Sequence, residues 1–455
     1  MKSSALGGGK NEPFRGEPLL TGETSSYDRN PLKSMKTLWI LIFLAAGLAS
    51  GVAEQFRTDI NPALRYYQAF ILAPDLSPAD HDYLLTNDWR GQKLPERFGE
   101  LLARYNNQFT LVRQAAYATV PCDWGIDMSP GPATLLPGLA RNKAIVVTAR
   151  LRAMWFLQNG RPAEAAQDLV ASFTLARNSS RDGTLISVLV QIACENILCA
   201  AVAENYFQLS PETLKQVVDG FDAAPSRGTV AASLSTERAF FHDWLKNKIL
   251  ELQKQNPGDE SKVMASVHDL IIGMQGDEGG QNATTQEDFW RRLLTASGGT
   301  SSGILDLLRS EEPLYEKAAA VMALPQHEYE NQMKEFQQEI QQSTDPFMPQ
   351  MFSAWEKCRV KEFACLVRLA MVRAAAEYKL HGEQGLRNVL DPYSQAPFSF
   401  DRIIVDGIDR GFELTSAYAG RGNPETLVFV EKDGPSFSVT PKFENRAGAK
   451  SSTAK

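Results

Sequence analysis

Along most of this chain apolar residues return every three to four positions, the spacing of one buried helical face. Phe98, Leu101, Leu102, Tyr105, Phe109, Val112 and Ala116 hold that spacing evenly, which predicts one long amphipathic helix over residues 95–119. Residues 61–73 predict an earlier helix, stopped by Pro74, and residues 120–132 a loop rich in Pro and Gly. Residues 133–159 and 162–177 read as an antiparallel helical hairpin that turns at Gly160, with Ala163, Ala166, Leu169, Val170 and Phe173 inward. Residues 184–207 are apolar nearly all round, the mark of a central buried helix. Ser77-Pro78-Ala79-Asp80 and Ser210-Pro211-Glu212 each combine a capping hydroxyl, Pro at the first helical position and an early acid. After Ser210, Leu214, Val217, Val218 and Phe221 form the inner stripe, and residues 230–255 and 349–381 give further long helices, the last ending at Gly382.

Near the C-terminus the period changes from helical to alternating. Residues 398–405 and 411–418 around Asp406-Gly407 predict a β-hairpin, and residues 427–431 and 436–440 around Asp433-Gly434 a second. The fold class expected is mainly α, an irregular array of helical hairpins resembling tetratricopeptide units, with a small C-terminal β-hairpin element. No second copy of the hairpin recurs at the 34-residue period that would define such repeats. The expected organisation is a disordered N-terminal extension (1–34), a signal peptide or signal anchor (35–53), a helical domain (54–272) and a flexible linker (273–303). A second helical segment (304–390), a small β-rich module (391–443) and a disordered tail (444–455) follow.

The run of residues 38–53 carries no charge and follows Lys33 and Lys36. A membrane span needs about 20 apolar residues, whereas a secretory signal needs a shorter apolar run behind a basic stretch and ahead of small residues. Ala49-Ser50-Gly51-Val52-Ala53 offers small residues for cleavage, and Met35 is an alternative start. Either reading sends the rest of the chain out of the cytoplasm, as a periplasmic or exported protein or one anchored in the inner membrane.

Composition narrows the function classes. An apolar content of 43% is that of a globular chain, and a net charge of −7 argues against a nucleic-acid surface. Cys358 and Cys365 share a helical face but would lie about 10.5 Å apart along it, too far for a disulfide within one helix. None of the five cysteines has metal-ligand spacing, so burial as small hydrophobes is expected. The histidines are scattered, and His327-Glu328 begins an HExxH pattern that ends on Asn331. No nucleotide-binding or nucleophile-elbow motif occurs in a strand-to-helix context, so no cofactor and no metal is expected.

Three places remain where chemistry can sit. Ser187, Gln191 and Glu195 form a polar stripe on the apolar helix, where burial can tune a carboxylate toward acid–base work or an arginine such as Arg150, Arg152 or Arg177 can pair with it. Glu237, Arg238, His242 and Trp244 crowd one helix and provide a Glu and a His as catalytic candidates. In the loop, Asp123, Trp124 and Asp127 can contact a ligand or cation, or Trp124 can brace the bundle.

The segments Pro121-Cys122-Asp123-Trp124-Gly125-Ile126-Asp127, Leu135-Leu136-Pro137, Asn159-Gly160-Arg161 and Asp182-Gly183-Thr184-Leu185-Ile186 resemble a family of uncharacterised exported bacterial helical proteins. The resemblance runs over residues 61–244 and again over 378–418. There Asp391-Pro392-Tyr393-Ser394-Gln395-Ala396-Pro397-Phe398 is similar to the DPFSGxPF-type segment that closes such proteins. The C-terminal hairpin is also similar to that of type II secretion pseudopilins, although Gln395-Ala396 replaces the usual Gly-Lys and no pilin-type processing site precedes the apolar run. The resemblance implies export and brings no activity, so it assigns no catalytic residue. The reading these features favour is a non-enzymatic envelope scaffold that binds a protein or an envelope component, with a single N-terminal membrane contact and no nucleic acid. An envelope hydrolase using Glu195, Glu237 or His242, and a subunit of a secretion or pilus-like apparatus, are the alternatives.

Overall fold

The computed structural model describes residues 59–274, 283–342, 346–420 and 422–431. The extension 1–34, the apolar segment 35–53, residues 436–440 and the tail 444–455 lie outside them. The N-terminal helices are α1 (Pro62–Ile71), α2 (Pro78–Leu85), α3 (Glu96–Ala103) and α4 (Asn106–Ala116). Asn61 and Ser77 cap α1 and α2 by accepting from the N–H groups of Ala63 and Asp80. The single helix expected over 95–119 is two: α3 ends at Ala103, α4 begins at Asn106, and Arg104-Tyr105 form a turn between them. The two pieces serve different cores. Phe98, Leu101 and Leu102 pack with Leu84, Trp89 and Met154, whereas Phe109 and Val112 pack with Tyr66, Phe70 and Trp124.

After an extended stretch and a 3₁₀ turn at Gly131–Ala133 come α5 (Gly138–Gln158), α6 (Pro162–Ser179), α7 (Leu185–Glu204), α8 (Pro211–Asp222) and α9 (Val230–Glu237). Helices α5 and α6 form the expected hairpin, turning at Gly160 with φ 67°. Within it Ala166, Leu169 and Phe173 are buried as expected and Val170 is half-buried, whereas Ala163 is exposed and Ala165 is buried in its stead. Among the described residues, α7 alone is long and apolar enough to cross a membrane. Here it is the core helix: Val188, Ile192, Leu198 and Val202 are buried, and Gln191 and Glu195 are buried with them.

A π-helical turn, Arg238–Asp243, joins α9 to α10 (Trp244–Gln255). Helices α11 (Glu260–Met274), α12 (Ala283–Ala296), α13 (Ser301–Ala323), α14 (Gln326–Gln342) and α15 (Phe347–Asn388) follow, α15 broken at Gly382 (φ 65°, ψ −152°). Helix α12 corrects the expected linker at 273–303, since Phe289 and Leu293 are buried against α10, α11 and α13. The polar composition upstream of residue 288 obscured this short apolar stripe.

Strands β1 (Ser399–Val405), β2 (Ile408–Thr415) and β3 (Thr426–Val430) form one antiparallel sheet in the order β1-β2-β3. The β1–β2 turn is the expected Asp406-Gly407, with φ of 52° and 78°. Phe412 on β2 pairs with Phe429 on β3, their rings stacked at 4.8 Å, and Tyr206 sets its edge on both. The main core therefore draws on α5–α9, α13–α15 and the sheet together.

Candidate functional site

The Cys122–Asp127 loop is built as a brace. Asn61 accepts the Asp123 N–H and donates to the Asp123 carbonyl. Trp124 lies among Tyr66, Tyr67 and Phe70 and donates its indole N–H to the Asn178 carbonyl at 2.7 Å. Asp123 accepts from the Gly125 N–H, and Asp127 accepts from the N–H and hydroxyl of Ser129. Both carboxylates are committed to local turns, and Ser129 holds Asp127 below the usual carboxylate range.

The polar stripe of α7 is the centre of a buried charge chain. Ser187 donates to Asp182 at 2.6 Å, and Gln191 accepts the Gly228 N–H at 2.9 Å and the Ser180 hydroxyl. Glu195, wholly buried, sits between Arg177 at 2.8 Å and Arg227 at 2.7 Å and accepts from the Cys365 thiol at 3.1 Å. Arg227 reaches on to Glu362, which Arg359 also holds. Of the arginines expected near Glu195, Arg177 makes the pair; Arg150 binds Glu204 and Arg152 binds Asp168. Burial disfavours the charge of Arg227, yet Glu195, Cys365 and Glu362 together hold its pKa above the ordinary value. Burial, reinforced by Glu195, pushes the Cys365 thiol well up. A carboxylate clamped between two guanidiniums is an acceptor, and a thiol raised this way is a poor nucleophile. The chain ties α6, α7, α15 and the Arg227-Gly228 segment to one another.

Glu237 accepts the Leu185 N–H at 2.8 Å and so closes the N-terminus of α7, and burial raises its pKa. Its contact on α7 lies ten residues from Glu195, about 15 Å along the helix. His242, wholly buried on the π turn, meets the Leu308 carbonyl through Nε2 and Asp243 through Nδ1 at 3.0 Å. Glu195, Glu237 and His242 are thus held by separate partners. His242, Asp243 and Glu312 present three atoms within 4.8 Å of one another, a set able to ligate a metal. Lys246 at 2.9 Å and Arg238 at 3.5 Å already neutralise Glu312 there. The π turn also brings Trp244 onto Gly131 (φ 62°), where a Cβ would lie 2.5 Å from the indole.

Sequence reasoning missed a cavity of about 420 Å³ lined from α1, α2, α3, α4 and α5. Phe70, Leu76, Leu84 and Leu85 contribute apolar walls, with His81, Arg141 and Lys143 among the lining residues. No Asp or Glu is among the described residues lining it, on a chain of net charge −7. Ile71, Leu72 and Leu85 remain exposed on the helices that frame it, and those leucines at the end of short helices were the available signal. No family model, curated protein or solved structure matches this chain.

Proposed function

We propose that this chain is an exported or membrane-anchored envelope protein that serves as a non-enzymatic helical scaffold. It holds a partner protein by an apolar side chain flanked by acidic residues, seated in the cavity lined from α1 to α5. The observation that carries this reading is the cavity's lining: apolar walls with Arg141, Lys143 and His81, and no carboxylate among the described lining residues. Burying one Leu or Phe side chain there contributes roughly 1.5–3 kcal/mol, and each exposed ion pair adds about 0.2–1 kcal/mol. The separate structural engagement of Glu195, Glu237 and His242 supports a binding role over hydrolysis. The basic, then apolar, then small-residue order of Lys33 to Ala53 supports export.

The test is selection from a random-peptide library against the natural chain and against a Leu85→Glu, Lys143→Glu variant. Enriched peptides should pair Leu, Ile, Phe or Trp with Asp or Glu and should lose binding to the variant. Enrichment indifferent to the variant, or no enrichment, contradicts the reading.

A further inference from the structure

Helix α1 is apolar on two faces. Ala63, Tyr66, Ala69 and Phe70 are buried against the bundle. Leu64, Ile71 and the capping residue Leu72 lie on the other side, 55%, 80% and 46% exposed. Their spacing puts these three and Gln68 within an arc of about 100°, the width of a helical face that ordinarily packs on something. Three of the eleven exposed large hydrophobic side chains among the described residues thus stand on one short helix. Surface apolar residues scattered singly need no partner, but a contiguous group does.

Where α1 stands in the chain says what covers that face. Asn61, the N-cap of α1, comes eight positions after Ala53, the last residue of the apolar run. Even fully extended, that stretch reaches only about 29 Å. An uncleaved apolar segment therefore tethers α1 beside the bilayer surface, where a tether makes a weak contact effective. Helix α1 carries one charge, Arg65, and no acid, so the headgroups of an anionic bilayer do not repel it. A helix lying in the membrane plane sinks its apolar side about 5–10 Å into the headgroup boundary. Here the opposite side of the helix is already taken up by the bundle.

We propose that α1 is an interfacial helix, its face of Leu64, Ile71 and Leu72 seated among the headgroups of an anionic bilayer. The inference rests on the membrane-anchored form of the scaffold reading. The face shares no residue with the lining of the cationic cavity. The test uses the full chain in vesicles of phosphatidylcholine and phosphatidylglycerol, with Ile71→Cys carrying an environment-sensitive NBD fluorophore attached under native conditions, where the five natural thiols are buried. Vesicle flotation reports anchoring, and quenching by lipids bearing a nitroxide on the upper acyl chain reports where α1 sits. The label should lose most of its emission to the nitroxide lipid. Adding Leu64→Glu and Leu72→Glu, both at exposed positions, should abolish that quenching while flotation persists. A chain that does not float overturns the anchored reading and this proposal with it. A floating chain whose label escapes the nitroxide, or is quenched equally with the two glutamates present, overturns the proposal alone.

Discussion

Replacing Glu195 by Gln should be among the most damaging single changes on α7. Glu195 is fully buried, and its two oxygens lie 2.8 Å and 2.7 Å from Arg177 and Arg227, whose side chains are 11% and 12% exposed. The chain of Arg177, Glu195, Arg227, Glu362 and Arg359 alternates in sign, with three cations against two anions. Neutralising Glu195 leaves Glu362 alone to face those three arginines. Removing one partner of a buried pair typically costs 3–5 kcal/mol, because an uncompensated charge stays desolvated. For a chain of this size that is a fall of roughly 3–5 °C in melting temperature. Differential scanning calorimetry at pH 7 reads the loss directly. Raising NaCl from 0.1 to 1 M should change the gap little, since screening acts weakly on buried charges. A double variant, Glu195→Leu with Arg227→Met, should lose less than the sum of the two single changes. A Glu195→Gln protein within about 1 kcal/mol of the natural chain, against that 3–5 kcal/mol loss, would refute the reasoning.

Burial raises the pKa of Glu237, so the folded state keeps that proton at pH values where the unfolded chain has released it. Its contribution to stability therefore declines as pH rises from the ordinary carboxylate range through the raised value. Glu237→Gln, which can still accept the Leu185 N–H, should gain stability relative to the natural chain between pH 4 and pH 7; a constant difference across that window would contradict this. All five cysteines are free and buried, and Cys122, Cys194 and Cys199 are each pushed up to about 12 by burial. Iodoacetamide at pH 8 should accordingly leave the native protein unlabelled and modify all five thiols in denaturant, as intact mass would show. Gly131→Ala forces a Cβ against Trp244 at a left-handed backbone position and should cost about 1–3 kcal/mol. The same variant should change Trp244 fluorescence; an unchanged melting temperature and spectrum would show that the contact is not tight.

Local chemistry was the part of the fold written plainly in the sequence. Ser77 and Ser210 accept the cap bonds their Ser-Pro contexts predict, Gly160 and Gly382 stop helices with positive φ, and Asp406-Gly407 makes the hairpin turn. What was hidden depends on distant partners. The apolar period runs unbroken through Tyr105, yet a turn at Arg104-Tyr105 interrupts the helix, and α3 and α4 serve different cores. The stripe Ser187, Gln191, Glu195 was visible, and so was Arg177 as a partner. Arg227 and Glu362, separated from one another by 135 residues, were not. The cationic cavity left only the exposed leucines at the ends of short helices as a sign, because its lining is assembled from the α1–α2 connection and residues of α1 to α5.

The most direct test of the scaffold account is photo-crosslinking in the native cell from a benzophenone amino acid placed at position 85, read by mass spectrometry of separated cytoplasmic, soluble-envelope and membrane fractions. The account predicts a discrete crosslinked protein in an envelope or membrane fraction, joined through an apolar residue beside acidic ones and lost when Lys143→Glu is added. A chain found only in the cytoplasm, or a crosslink that survives that charge reversal unchanged, would contradict it.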